Sequence, residues 1–174
     1  MVKNIKIEFV FIFNHFMQKI TSRLLSETLE KASASPRRRM NYNFHPTLEA
    51  AYQRMLNSLM PDTYCQPHRH NNPAKNESFV ILKGRLVVVE FNDNGEIIDH
   101  IVLDSDEGNF GADFLPNTWH SIIALTPCVV FEAKEGPYSP LNDKDFAPWA
   151  PKEGSKDCQK YNHAILEKLG INYD

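Results

Sequence analysis

A chain of 174 residues, 42% hydrophobic and 24% charged, has the size of one domain and enough apolar side chain to bury a single core. Its 19 basic and 22 acidic residues are interspersed, with a formal net charge of −3, so no basic stripe offers itself to nucleic acid or to an anionic membrane surface. Cys65, Cys128 and Cys158 form no framework and no CxxC pair, which argues against a structural zinc ribbon and for free thiols in a reducing, cytoplasmic compartment.

Residues 1–16, MVKNIKIEFVFIFNHF, carry an apolar patch too short to span a bilayer, interrupted by Glu8 and followed by no small-residue cleavage site. The segment reads as an N-terminal extension that pairs along a sheet edge or stays without structure. Over residues 18–33, Ile20, Leu24, Leu25 and Leu29 make a helical stripe, with Thr21 or Ser22 near its start. Residues 17–40 are therefore expected to be a helix and an Arg-rich loop packed on a barrel. Pro36 stops the helix, and PRRRMNYNFH follows. This run is either a solvated loop or a flap over a cavity mouth. In the second case the forks of Arg37 and Arg39, with Asn43 and His45, hold a carboxylate or phosphate on a ligand.

From Arg54 onward the sequence breaks into short strands, RMLNSLM, TYCQPHRH, SFVILKG, RLVVVEF, EIIDHIVL, GADFLP, WHSIIAL and CVVFEAK, separated by turn residues. Asn94-Gly95 predicts a type I′ hairpin, in which both residues take positive φ. The array fits an antiparallel jelly roll over residues 41–151. A proline-rich wrap follows the last strand, and residues 152–174 form a tail in which Tyr161, Ile165 and Leu169 suit a terminal helix.

Within the strands lies a pattern suited to metal. His68 and His70, separated by Arg69, project to one side about 7 Å apart along a strand. Glu77 opens the strand SFVILK, which ends at Gly84, and His120 follows the Pro116-Asn117 turn at another strand entrance. Three imidazoles and a carboxylate can converge on one divalent transition metal, Zn, Fe, Mn or Ni, with positions left for water or substrate.

These segments resemble the two motifs of the cupin superfamily: HxH, Glu and, six residues on, Gly; then a proline turn and His. The resemblance implies a mainly β fold, the cupin-type double-stranded β-helix or jelly-roll barrel, with flanking N- and C-terminal helices. It also implies His68, His70, Glu77 and His120 as the metal ligands. Six residues separate His70 from Glu77, against three or four in the general pattern, and the insert NNPAKN has a loop composition. Asn117 replaces the usual glycine of the second turn, and asparagine best tolerates left-handed angles. More widely, SPRRRMNYNFH, RMLNSLMPDTYCQPHRH, FEAKEGPYSP and KDFAPWAP make residues 17–154 similar to WbuC-type cupin-fold metalloproteins, which occur with surface-polysaccharide gene clusters. That likeness implies a small-molecule ligand, a saccharide or sugar acid, and a homodimer paired through sheet edges.

If the strand alternation runs on from His68, Tyr64 and Gln66 face the cavity and Cys65 faces away. Glu132 and Lys134 share a face with Val130, which either lines the cavity or meets solvent. In the first case Glu132 is the general base nearest the metal, with Tyr64 as a second catalytic group and Lys134 as a ligand contact. Three functions suit such a site: an isomerase or epimerase using Lewis-acid chemistry, an Fe(II)-dependent dioxygenase, or a non-catalytic saccharide-binding module.

Overall fold

A computed structural model of the chain describes residues 17–140 and 143–172. The expected N-terminal extension, 1–16, lies outside the described residues. In chain order the elements are α1 (Ser22–Ala34), β1 (Arg39–Asn43), β2 (Tyr52–Leu59), β3 (His68–Arg69), β4 (Glu77–Lys83), β5 (Arg85–Phe91), β6 (Ile97–Asp104), β7 (Gly111–Phe114), β8 (Trp119–Ala124), β9 (Cys128–Glu135), β10 (Asp145–Phe146) and α2 (Cys158–Leu169). Two five-stranded antiparallel sheets, ordered β1-β2-β9-β4-β7 and β10-β3-β8-β5-β6, face each other as a jelly roll.

The inward faces explain where a site can form. Along β4 the buried side reads Glu77, Phe79, Ile81; along β8 it reads His120, Ile122, Ala124. β9 runs the opposite way through Cys128, Val130, Glu132 and Lys134, and β2 contributes Asn57 and Leu59. Each series passes from polar to apolar along one period-2 face. One half of the barrel is consequently a dry plug of Leu59, Phe79, Ile81, Leu86, Val88, Leu103, Phe114, Ile122 and Val130, and the other half is a polar chamber.

The outer faces are covered too. α1 starts at Thr21, whose side chain accepts the Leu24 amide at 3.2 Å, and it buries Leu25 against Phe44, Leu56 and Val129. On the other sheet, α2 packs Ile165 and Leu166 against Val87, Val89, Ile123 and Leu125, and Gly170 closes the helix at φ +68°. Burial on both faces is why β5 reads as a nearly continuous apolar run and why every residue of β8, His120 and Ser121 included, is buried.

Three local expectations need correction. Arg39 to Asn43, read as loop, is the edge strand β1, paired with β2 from Arg39↔Leu59 to Asn43↔Met55. TYCQPHRH is extended but forms a ladder only at His68 and Arg69, and Asp145 and Phe146 of the proline-rich wrap pair with those two residues. In the β5–β6 hairpin only Gly95 is left-handed, at φ +82°. Asn92 Oδ1 accepts the amides of Asn94 and Glu96, each at 3.0 Å, closing the turn without asking Asn94 for positive φ. Asn117 does take φ +70° in the turn before His120.

Gly84, between β4 and β5, has φ +76°, and a Cβ there would stand 2.5 Å from the Pro127 carbonyl oxygen. Gly84→Ala is expected to destabilise the fold by about 1–3 kcal/mol. Urea unfolding should show a lower midpoint at unchanged slope; an unshifted midpoint would place the turn elsewhere.

Candidate metal centre

β3, β4 and β8 bring His68, His70, Glu77 and His120 together. All four are buried, and one ligand atom from each lies within 4.8 Å of the others. His68 and His120 are direct cross-strand partners, so a single register holds both rings. His70 follows one residue beyond β3. The insert 71–76 folds back through an isolated bridge between Asn71 and Ala74, which returns the chain to Glu77.

The tautomers follow from the partners. His68 Nδ1 lies 2.9 Å from the Gln66 carbonyl oxygen, His120 Nδ1 lies 2.9 Å from that of Thr118, and His70 Nδ1 contacts that of Asp143. A carbonyl oxygen only accepts, so each Nδ1 is the donor and each neutral ring has its lone pair on Nε2. His70 Nε2 is 3.2 Å and His120 Nε2 is 3.0 Å from Glu77 Oε2. The His120 approach satisfies distance but not hydrogen-bond direction. His68 Nε2 and His120 Nε2 are both buried without a hydrogen-bond partner among the described residues. Burial, then the charges of Lys144 and His120, hold the His68 imidazole well below its ordinary value, in the neutral form that a metal requires.

Burial opposes charge on Glu77, the Lys134 ammonium 3.8 Å from Oε1 favours it, and the carboxyl is held well below the usual range. Three aimed lone pairs and a carboxylate in a dry pocket are four acceptors with too few donors. A divalent ion would resolve that imbalance: bonds of about 2.0–2.2 Å set ligand atoms about 3–3.5 Å apart, a spacing that Glu77 Oε2 already has from His70 Nε2 and His120 Nε2. The donor set therefore could hold a metal; three nitrogens and one oxygen do not select its identity.

Beyond the four residues opens a cavity of about 250 Å³. Gln66, Arg37, Arg39, Asn43, His45, Glu132 and Lys134 all line it. Glu132 receives a short hydrogen bond from Asn57 Nδ2, and Lys134 Nζ lies 3.7 Å from its Oε1. Burial, then the Glu77 carboxylate, push Glu132 well above its ordinary value, which favours its protonated form. The expected base is thus better placed to act first as an acid.

Two expectations from strand alternation fail. Tyr64 does not reach the cavity: its hydroxyl donates to the Pro151 carbonyl at 2.8 Å, and its ring meets Tyr161 edge-on at 6.3 Å. Cys65, expected to face away, lines the cavity. Residues 61–67 form no regular strand, so the period-2 count cannot be carried back from His68.

The residue that pattern reading missed is Asp143. Its carbonyl receives His70 Nδ1, while its carboxylate takes Lys75 Nζ at 2.6 Å and Lys134 Nζ at 2.9 Å. The only sequence signal is a charged DKD in a proline-rich wrap, and the matching Lys75 sits in an insert with loop composition.

The family model that matches this chain describes a domain of unknown function, DUF6016, and aligns with residues 20–103. The match includes His68, His70 and Glu77 and stops within β6, before His120. No curated protein matches the chain. Among solved structures it is similar to the capsular polysaccharide assembling protein CapF of Staphylococcus aureus, with 22% identity and a TM-score of 0.51 over 70% of this chain and 34% of CapF. It is also similar to the L-ribose isomerase of Cellulomonas parahominis in its structure with L-psicose, with 13% identity and a TM-score of 0.50 over 64% of this chain and 70% of that one. A cupin superfamily protein of Desulfitobacterium hafniense is 11% identical over 56% of this chain and 76% of that one, at a TM-score of 0.44. The chain spans about a third of the length of CapF. What the CapF and L-ribose isomerase structures share with it is the fold, a jelly roll.

Burial alone would raise the Asp143 carboxyl, but Lys134 and Lys75 outweigh it and hold it below its ordinary 3.8. A depressed folded pKa means that this contribution is present above about pH 4 and is lost as pH falls through the folded value. Asp143→Ala leaves two buried ammonium groups facing each other and should cost about 3–5 kcal/mol at neutral pH. It should also flatten the acid limb of the stability profile; chemical unfolding from pH 7 to pH 3 measures both, and an unchanged limb would remove Asp143 from this role.

Proposed function

We propose that this chain is a metal-dependent cupin of the WbuC type that acts on a small sugar or sugar-acid derivative, moving a proton next to a carbonyl as isomerases and epimerases do. The observation that carries this reading is the convergence of three imidazoles, each fixed through Nδ1, on the Glu77 carboxylate at the wall of a polar cavity. His68, His70, Glu77 and His120 hold the ion. A divalent metal bound there supplies Lewis acidity toward a carbonyl or hydroxyl oxygen.

The chain's own groups do the rest. Glu132, protonated and held by Asn57, presents a proton inside the cavity and takes one back once it has ionised. Lys134 remains an ammonium: burial would lower it, but Glu77, Glu132 and Asp143 raise it. Its charge beside Glu132 stabilises the carboxylate formed when that proton leaves. Gln66, Asn43 and His45 offer hydrogen bonds to hydroxyl groups, and Phe79 and Ile122 close the floor against water. The sugar class rests on resemblance to the WbuC proteins and on this mixture of amide and imidazole groups. We also infer a homodimer, paired along a sheet edge, in a reducing compartment that suits Cys65, Cys128 and Cys158, all of which are free. Among the described residues no helix is long and apolar enough to cross a membrane.

The test is deuterium exchange. Metal-replete protein incubated with a panel of aldoses, ketoses and uronic acids in D2O should label one substrate at the carbon next to its carbonyl. Glu132→Gln should slow that labelling by about 10²–10⁴-fold with metal content unchanged. Oxygen uptake that requires iron would point to a dioxygenase instead, and saturable binding without exchange or turnover would leave a non-catalytic saccharide-binding module.

A further inference from the structure

The cavity mouth holds a carboxylate that belongs to the chain itself. Arg37 grips Glu153 with both arms, Nε to Oε1 at 2.7 Å and Nη2 to Oε2 at 3.0 Å, and Arg39 Nη2 donates to the same Oε2 at 2.8 Å. Parallel guanidinium bonds to one carboxylate are the geometry by which proteins recognise carboxylate and phosphate groups.

The Arg39 guanidinium and the Arg37 backbone are each tied to residues other than Glu153, whereas both bonds of the Arg37 guanidinium go to Glu153. Arg39 Nη1 donates to the Tyr64 carbonyl at 2.7 Å and to Thr63 Oγ1 at 3.2 Å, and the Arg37 carbonyl accepts the Thr63 hydroxyl at 2.7 Å. Glu153 is the common partner of both guanidinium groups. It lies on the turn between the barrel and α2, its amide donates to Gln66 Oε1 at 3.1 Å, and next to it Gly154 sits at φ +86° with nothing packed within 4 Å of the Cβ position. Lys144 is exposed on the same cavity. One carboxylate there meets two guanidinium groups, and Lys144 adds a third cation to the same cavity lining.

We propose that Arg37 and Arg39 form an oxyanion subsite for a phosphate or carboxylate group on the substrate, and that Glu153 occupies it as a tethered stand-in which the substrate displaces. The inference deepens the proposed function and rests on it for the cavity being the substrate site. It makes the substrate an anion whose charged end binds at the mouth while its other end reaches the imidazoles. Exchange of one oxyanion for another keeps the fork satisfied throughout, so entry of the ligand leaves no guanidinium unpaired. Because the stand-in is tethered, it competes at a high effective concentration, and its removal should show as a gain in affinity.

The probes are inorganic phosphate and acetate, titrated separately by calorimetry into the full chain, with metal content measured on the same samples. Glu153→Gln should bind the preferred anion at least fivefold more tightly than wild type, and Arg37→Gln added to it should abolish the gain. The same gain should persist after the metal is stripped by a chelator, so a failed metal assignment and a failed anion subsite read out separately. Equal affinities in wild type and Glu153→Gln, binding of neither anion, or a gain that survives Arg37→Gln overturns the proposal. If Glu153→Gln does not melt cooperatively, hydrogen exchange on wild type decides: saturating phosphate should speed exchange across residues 151–157, and unchanged exchange overturns it.

Discussion

Three hydrogen bonds from imidazole Nδ1 to backbone carbonyls organise this molecule. They remove the rotational choice of His68, His70 and His120, fix which nitrogen bears the proton, and turn three lone pairs toward Glu77. Much of the irregular structure exists to place those carbonyls. Residues 61–67 leave regular strand geometry and bring Gln66 under His68, the left-handed Asn117 turns the chain before Thr118 and His120, and the wrap carrying Asp143 reaches across to His70. A barrel built only of straight ladders would supply strand pairing but not these acceptors.

The polar half of the barrel is costly by itself. Glu77, Glu132, Lys134, Asp143 and Lys75 are all buried, and each would be strongly unfavourable alone. They are tolerated as a connected set: Asp143 spans two lysines, Lys134 reaches two glutamates, and Asn57 satisfies Glu132. What offsets their desolvation is the apolar half of the same barrel together with the two helix-covered outer faces. Site and core are thus consecutive stretches of the same strand faces.

Much of this was legible in the sequence because it follows short-range rules. Eight of the ten strands overlap the short runs set off by turn residues, although β3 keeps only two residues of its run, and both helices follow apolar stripes. The HxH spacing, the strand start at Glu77 and the turn before His120 locate the four converging side chains. What was not legible depends on distant pairing. β1 hides in an arginine run because its strand character comes from lying beside β2, and β10 has too few residues to show a period. Tyr64 and Cys65 were exchanged because alternation holds only inside a ladder. Asp143 and Lys75 escaped because two loop residues, 68 positions apart, carry no local sign that they meet.

The chamber also explains why ligand chemistry can be argued further than metal identity. Amide, imidazole and guanidinium groups line its walls, and their hydrogen-bonding capacity is set by residue type alone, whereas a set of three nitrogens and one oxygen suits several ions. The most direct test of the central claim is elemental analysis of protein purified without affinity tag or chelator, comparing wild type with His68→Ala and His120→Ala. The account predicts about one divalent transition metal per wild-type chain and severe loss in both variants, because each removes one of the aimed Nε2 atoms. Wild type that stays metal-free after reconstitution, or variants that keep a full complement, would contradict it.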